Sequence, residues 1–299
     1  MTIGIAWIRK AGRSDQLWVA SDSRLSGDGN TWDQCPKLLM LPRSDLLAAF
    51  SGSTAQAYPL MLQIANSIFG HRPALDGSLE LNYLLDHLEK VANSMLADLQ
   101  QDPALKGRLS KKDFTSFDDM VLIGGFSRQS GLVLRTLRYE PSLRGWKFAR
   151  VRSQGRIGPR KPFHIFGDRV ARGRFYHLFE SHLRRKRKLG ADKPLDFEPL
   201  EVLWDFVALP GSSAEPLPKQ KRPTTVGGSV QAARVMAGAP ATPCVIRWKD
   251  GDGKQLYLLG RRLLQYENVD LPLIEDTSES PRLLVTPPGQ WSLKDSRDA

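Results

Sequence analysis

Three residues near the start of the 299-residue chain have types and spacing suited to one chemistry: Thr2, Asp22 and Lys37. A small residue directly after Met1 is what methionine aminopeptidase accepts, so Thr2 is expected to become the mature N-terminus. One residue would then hold both a hydroxyl and a free α-amine. The hydroxyl is a weak nucleophile, but an α-amine with a reference pKa of about 7.7–8.0 can take its proton at neutral pH. A nearby lysine favours the neutral, proton-accepting amine by like-charge repulsion, and a carboxylate is then needed to hold that lysine. Asp22 closes one candidate strand and Lys37 opens another, so strand pairing could bring them beside Thr2. Each has a plainer reading too: Thr is common after Met1, Asp at a strand end is commonly a turn residue, and Lys at a strand start is commonly solvated.

Competing constellations are thin. There is no Walker A loop, GxGxxG or GxSxG motif. His177 and His182 form the one close histidine pair, and their spacing suits a shared helix face poorly, so neither a metal nor another cofactor is expected. Cys35 and Cys244 stand without CxxC spacing, which points to a reducing compartment, and with no uninterrupted apolar span of about 18 residues a cytoplasmic chain with no membrane partner is expected. Trp18, Trp32, Trp146, Trp204 and Trp248 read as core or interface anchors.

The net charge of +11 is largely local: residues 169–188 hold eight bases and one acid. Contiguous bases from Arg184 to Lys188 at a helix end complement the helix dipole and form a solvated or docking face. A nucleic-acid site there is disfavoured because no aromatic residues alternate with the bases.

The elements that must position the three residues follow from periodicity. Ile3, Ile5 and Trp7 alternate with small residues, and Leu17–Ala20 follows a polar turn, giving a hairpin that ends at Asp22. Leu38–Leu41 and Leu46–Phe50 flank Pro42-Arg43-Ser44-Asp45 as a second hairpin. Helices are expected over 55–69, with Ser53 or Thr54 as N-cap, and over 81–99. Strands are expected at 120–123, 132–139, 146–150 and 163–166, helices at 169–188 and 198–208, then strands at 229–236, 244–248 and 255–259. The order of strand pairs and helix pairs implies an α+β domain, or two sheets with helices outside them. The Pro-rich stretch 209–225 reads as a loop. Residues 270–299, with Pro, Ser and an acidic balance, read as a loosely packed tail.

Four blocks, Thr2-Ile3-Gly4-Ile5-Ala6, Val19-Ala20-Ser21-Asp22-Ser23-Arg24, Lys37-Leu38-Leu39-Met40-Leu41 and Ala49-Phe50-Ser51-Gly52-Ser53, together resemble in order the opening of a proteasome β-type subunit. The bacterial Anbu (ancestral β-subunit) forms look most similar, since they too place Thr directly after Met1. Val121-Leu122-Ile123-Gly124-Gly125, Thr225-Val226-Gly227-Gly228-Ser229-Val230 and Leu258-Leu259-Gly260-Arg261 resemble later landmarks. The resemblance implies an N-terminal nucleophile hydrolase with a four-layer αββα sandwich over 1–269, carrying insertions at about 70–118 and 209–225, followed by the tail. It implies Thr2 as nucleophile, its amine as base, Lys37 and Asp22 as the groups that tune it, and the Gly52 N–H as oxyanion donor. A threonine peptidase or amidohydrolase acting on peptide or unfolded protein would follow, assembled as a homo-oligomer and fed by any separate ATP-dependent unfoldase. Two positions depart from the family pattern. Pro223 and Val226 stand where an acid and a Ser brace the amine, and Phe166-Gly167-Asp168 stands where Gly-Ser-Gly is expected, leaving Asp168 as an accessory carboxylate or a helix N-cap. The alternative is a non-catalytic proteasome-like scaffold or binding module that uses segment 184–188.

Overall fold

The computed structural model describes residues 2–12, 14–27, 30–52, 54–101, 121–151, 163–190, 193–208, 226–250, 253–277 and 283–291. They form an α+β fold built on two larger sheets. The expected loop 209–225, the connector 102–118, Ser53 and Pro223 fall outside these residues.

The first hairpin, β1 (Ile3–Ala11) and β2 (Ser14–Asp22), lies inside the larger sheet, whose order is β10-β1-β2-β11-β12-β13-β14. Here β10 is Phe163–Gly167, β11 Val230–Met236, β12 Ala239–Asp250, β13 Gly253–Leu258 and β14 Arg261–Arg262. The second hairpin, β5 (Leu38–Met40) and β6 (Leu46–Phe50), opens a separate five-stranded sheet, continued by β7 (Val121–Ser127), β8 (Gly131–Glu140) and β9 (Gly145–Arg150). A small hairpin, β3 (Leu25–Gly27) and β4 (Asn30–Trp32), connects the two.

Strand alternation sorts most buried side chains of the described residues into three stacked apolar clusters, beside a smaller fourth around Val245, Leu256, Leu263 and Leu273. Ile3, Ile5, Trp7 and Trp18 pack against Phe175 and Phe179 of α4 (Arg169–Arg185) and Leu200 and Leu203 of α5 (Glu198–Ala208). On the opposite face of the same strands, Ala6, Leu17, Val19, Ala233 and Val235 meet Leu38, Leu47, Ala49 and Leu122 of the five-stranded sheet. The far side of that sheet, through Leu46, Ala48, Phe50 and Ile123, packs on α1 (Thr54–Gly70) and α3 (Leu81–Gln101), with the short α2 (Arg72–Leu75) between them. All of the core residues named here are buried. Each large apolar side chain among them contributes on the order of 1.5–3 kcal/mol of transfer free energy.

Two readings change. The domain does not stop at 269: β15 (Leu273–Asp276) pairs in parallel with β12, and β16 (Leu283–Thr286) pairs with β15, burying Leu273, Ile274 and Leu283. The tail's average composition conceals the apolar residues Leu273, Ile274 and Leu283–Val285 that let two short strands pair there. Strand β12 also begins five residues before the expected Cys244, with Pro240 and Pro243 inside it. None of the described helices is long and apolar enough to cross a membrane.

Candidate active site

Antiparallel pairing of β1 with β2 sets Gly4 opposite Ser21, which brings Asp22 beside the start of β1. Asp22 Oδ1 accepts the Ile3 N–H at 3.0 Å, the amide that follows Thr2, and the same oxygen accepts from Lys37 Nζ at 2.8 Å. Asp22 Oδ2 takes the Gly227 N–H at 3.1 Å. The Asp22 and Lys37 side chains are both 0% exposed. Lys37 arrives from the other sheet: it precedes β5 and crosses to Asp22 at the end of β2, so the pair bridges the two sheets rather than two neighbours of one hairpin. Burial pushes the Lys37 ammonium below its ordinary pKa, against the opposing pull of the Asp22 carboxylate.

Thr2 is itself buried and is held from both sides. Its carbonyl accepts the Asp168 N–H at 2.8 Å, while Ile3 sits opposite Gly167 at the end of β10. Gly167 has φ +118°, and a Cβ there would stand 2.0 Å from the Thr2 oxygen, so only glycine lets β10 close on Thr2. The Asp168 side chain serves the helix instead, accepting the Val170 and Ala171 N–H groups at 3.0 Å as the N-cap of α4. The main chain of Asp168 thus touches Thr2 and its carboxylate starts a helix.

Gly52 lies two residues beyond β6, at φ +92° and exposed. The Phe50 N–H donates to the Lys37 carbonyl at 3.1 Å, so the end of β6 runs beside Lys37 and Gly52 follows on that edge. Val226 is buried next to Gly227, whose carbonyl accepts the Ser23 and Arg24 N–H groups at 3.2 and 3.1 Å.

Further residues support the site: Ser23, Arg24 and Ser229 belong to the blocks that carry the resemblance, while Asp33 and Gln231 have no sequence signal of their own. Ser23 Oγ donates to the Asp33 carbonyl at 2.6 Å and accepts the Ser229 N–H at 2.9 Å. Arg24 forks onto the Asp33 carboxylate at 2.5 and 2.8 Å, and that hydrogen bonding raises the Arg24 pKa. These bonds fix the chain just after Asp22. Gln231 is buried between β2 and the Cys35–Lys37 segment. Cys35 contacts the Tyr58 hydroxyl, and burial pushes its thiol up, away from the thiolate a nucleophile requires.

The basic run is largely answered by acids. Lys186 Nζ reaches Glu201 Oε2 at 2.5 Å, Lys188 pairs with Glu198, and Arg184 pairs with Glu180 at 3.2 Å. His182 meets the same Glu201 oxygen at 2.8 Å. Burial works against ionisation of Glu201, but the His182 and Lys186 contacts outweigh it and bring its pKa down to about 2. The positive end of α4 therefore locks onto the acidic first turn of α5, which suits both helix dipoles.

No protein-family model matches the chain, and no curated protein matches it.

Proposed function

We propose that the chain is a threonine-dependent peptidase or amidohydrolase of proteasome β type, in which Thr2 acts once Met1 has been removed. The observation that carries this reading is the buried Asp22 carboxylate, one oxygen of which takes both the amide following Thr2 and the Lys37 ammonium. A buried ion pair costs desolvation and is weak evidence of stability alone. Its value here is chemical, because it fixes a cation beside a residue that can present a hydroxyl and an α-amine together.

In this mechanism Thr2 Oγ1 attacks a peptide carbonyl carbon while the α-amine takes its proton. The Gly52 N–H stabilises the oxyanion of the tetrahedral intermediate. Collapse breaks the C–N bond, and the amine returns the proton to the leaving nitrogen. Water then attacks the Thr2 ester by the same route, releasing the acid and restoring the hydroxyl. Lys37 keeps the amine in its neutral form, and Asp22 holds Lys37.

The three stacked apolar clusters support the four-layer αββα arrangement that this class of hydrolase uses. The paired acids along Arg184–Lys188 give the scaffold alternative no specific support. Thr2→Ala in the full chain tests the peptidase reading: it should remove peptide hydrolysis while preserving the far-UV spectrum and melting temperature. Hydrolysis at the wild-type rate would overturn it.

A further inference from the structure

Gln231 stands in β11 on the face shared with Ala233 and Val235, the apolar face turned toward the five-stranded sheet, and it is 0% exposed. A primary amide in that position is costly unless each of its polar atoms is satisfied. Its Nε2 donates to the Asp22 carbonyl at 3.2 Å and to the Cys35 carbonyl at 2.8 Å, and its Oε1 accepts the Lys37 N–H at 3.0 Å. The orientation of the amide follows from these partners. A flipped amide would set its oxygen against two carbonyls and its nitrogen against an N–H.

The three partners are the backbone of Asp22 and the backbone on either side of Pro36. Proline has no N–H to give a ladder, so the Cys35-Pro36-Lys37 segment cannot pair there as a regular strand. Gln231 supplies the missing partner from its side chain, tying that segment to the residue whose carboxylate Lys37 must reach. Lys37 leads into the five-stranded sheet while Asp22 ends a strand of the other, and a side-chain bridge between their backbones sets the distance between them.

We infer that Gln231 is the positioning residue of the site, holding the backbone of Lys37 in register with that of Asp22 so that the ammonium meets the carboxylate next to Thr2. The inference rests on the peptidase reading for its catalytic consequence. Its structural part concerns the Asp22–Lys37 pair alone.

The test uses the full chain with Gln231→Met, which keeps length and apolar volume and removes all three hydrogen bonds. Two readouts are taken: the rate at which a peptide epoxyketone modifies Thr2 as a function of probe concentration and pH, and the titration of the Lys37 ammonium by NMR of its labelled Nζ and Cε. The saturating modification rate should fall on the order of tenfold to a hundredfold with little change in half-saturating probe, as expected for a misplaced catalytic group. The Lys37 titration should shift from its wild-type position, because both the burial of the ammonium and its contact with Asp22 change. A folded Gln231→Met protein with wild-type modification and an unchanged Lys37 titration overturns the inference. If wild-type Thr2 is not modified at all, the peptidase reading fails, and the Lys37 titration still decides the role of Gln231. Should Gln231→Met fail to fold, Gln231→Glu keeps the shape and the acceptor to the Lys37 N–H while losing the donors, and the same two readouts apply.

Discussion

Replacing Asp22 by Asn changes almost no volume and removes the charge along with one acceptor, which makes it a sharp probe of the buried pair. The carboxylate takes three donors, from Ile3, Gly227 and Lys37, at 3.0, 3.1 and 2.8 Å. In Asp22→Asn the side-chain NH2 must face at least one of these donors, and Lys37 is left at 0% exposure without its counter-ion. Breaking a buried pair from one side costs about 3–5 kcal/mol. At about 2–4 °C per kcal/mol for a chain of this order of size, the melting temperature should drop by roughly 10 °C. Part of the loss is recoverable with alkali. Burial already lowers the Lys37 pKa, and losing Asp22 lowers it further, so the unfolded state binds more protons than the folded one and stability rises with pH. The deficit relative to wild type should therefore be largest near neutrality and shrink as pH approaches the ordinary lysine value. Lys37→Met should be destabilising on its own, and the double variant should be less destabilised than the sum of the two, with a coupling above about 1 kcal/mol in equilibrium denaturation. A coupling near zero, or an Asp22→Asn protein as stable as wild type at neutral pH, would refute the pairing on which the site is built.

Two further outcomes can be checked with little extra work. Asp168→Ala should cost about 1 kcal/mol through loss of the α4 cap while leaving epoxyketone modification of Thr2 intact; a selective loss of modification would instead assign its carboxylate to the amine. Glu201 has a folded pKa of about 2, below the ordinary glutamate value, so its contribution is fully present above the unfolded pKa and is lost as pH falls from about 4.5 to 2. Stability of wild type and Glu201→Gln measured by urea unfolding should converge as pH falls through that window, and a constant gap would contradict the α4–α5 lock.

Much of the scaffold was legible because its strands alternate cleanly: Ile3, Ile5 and Trp7 announce β1, and Leu17–Ala20 announces β2. Thr2, Asp22 and Lys37 were visible as residue types at strand ends. Their mutual placement was not, since sequence shows two successive hairpins and gives no sign that they enter different sheets. Gln231 was hidden for a related reason: one polar residue among alternating apolar ones marks nothing until the partner backbone is known. The start of β12 is hard to read from sequence because proline is disfavoured inside strands, yet Pro240 and Pro243 lie inside this one. Averaged composition misled after 269, where two runs of four residues complete the sheet edge. The basic segment looked like a docking surface because its acidic partners, Glu198 and Glu201, lie on the next helix.

The central claim is that Thr2 is an N-terminal nucleophile, and intact-mass and tandem mass spectrometry after treatment with a peptide epoxyketone test it most directly. The expected result is a chain lacking Met1 that gains one probe mass, with the adduct bridging the Thr2 amine and hydroxyl and absent from Thr2→Ala. A chain that retains Met1, or an adduct that persists in Thr2→Ala, would contradict it.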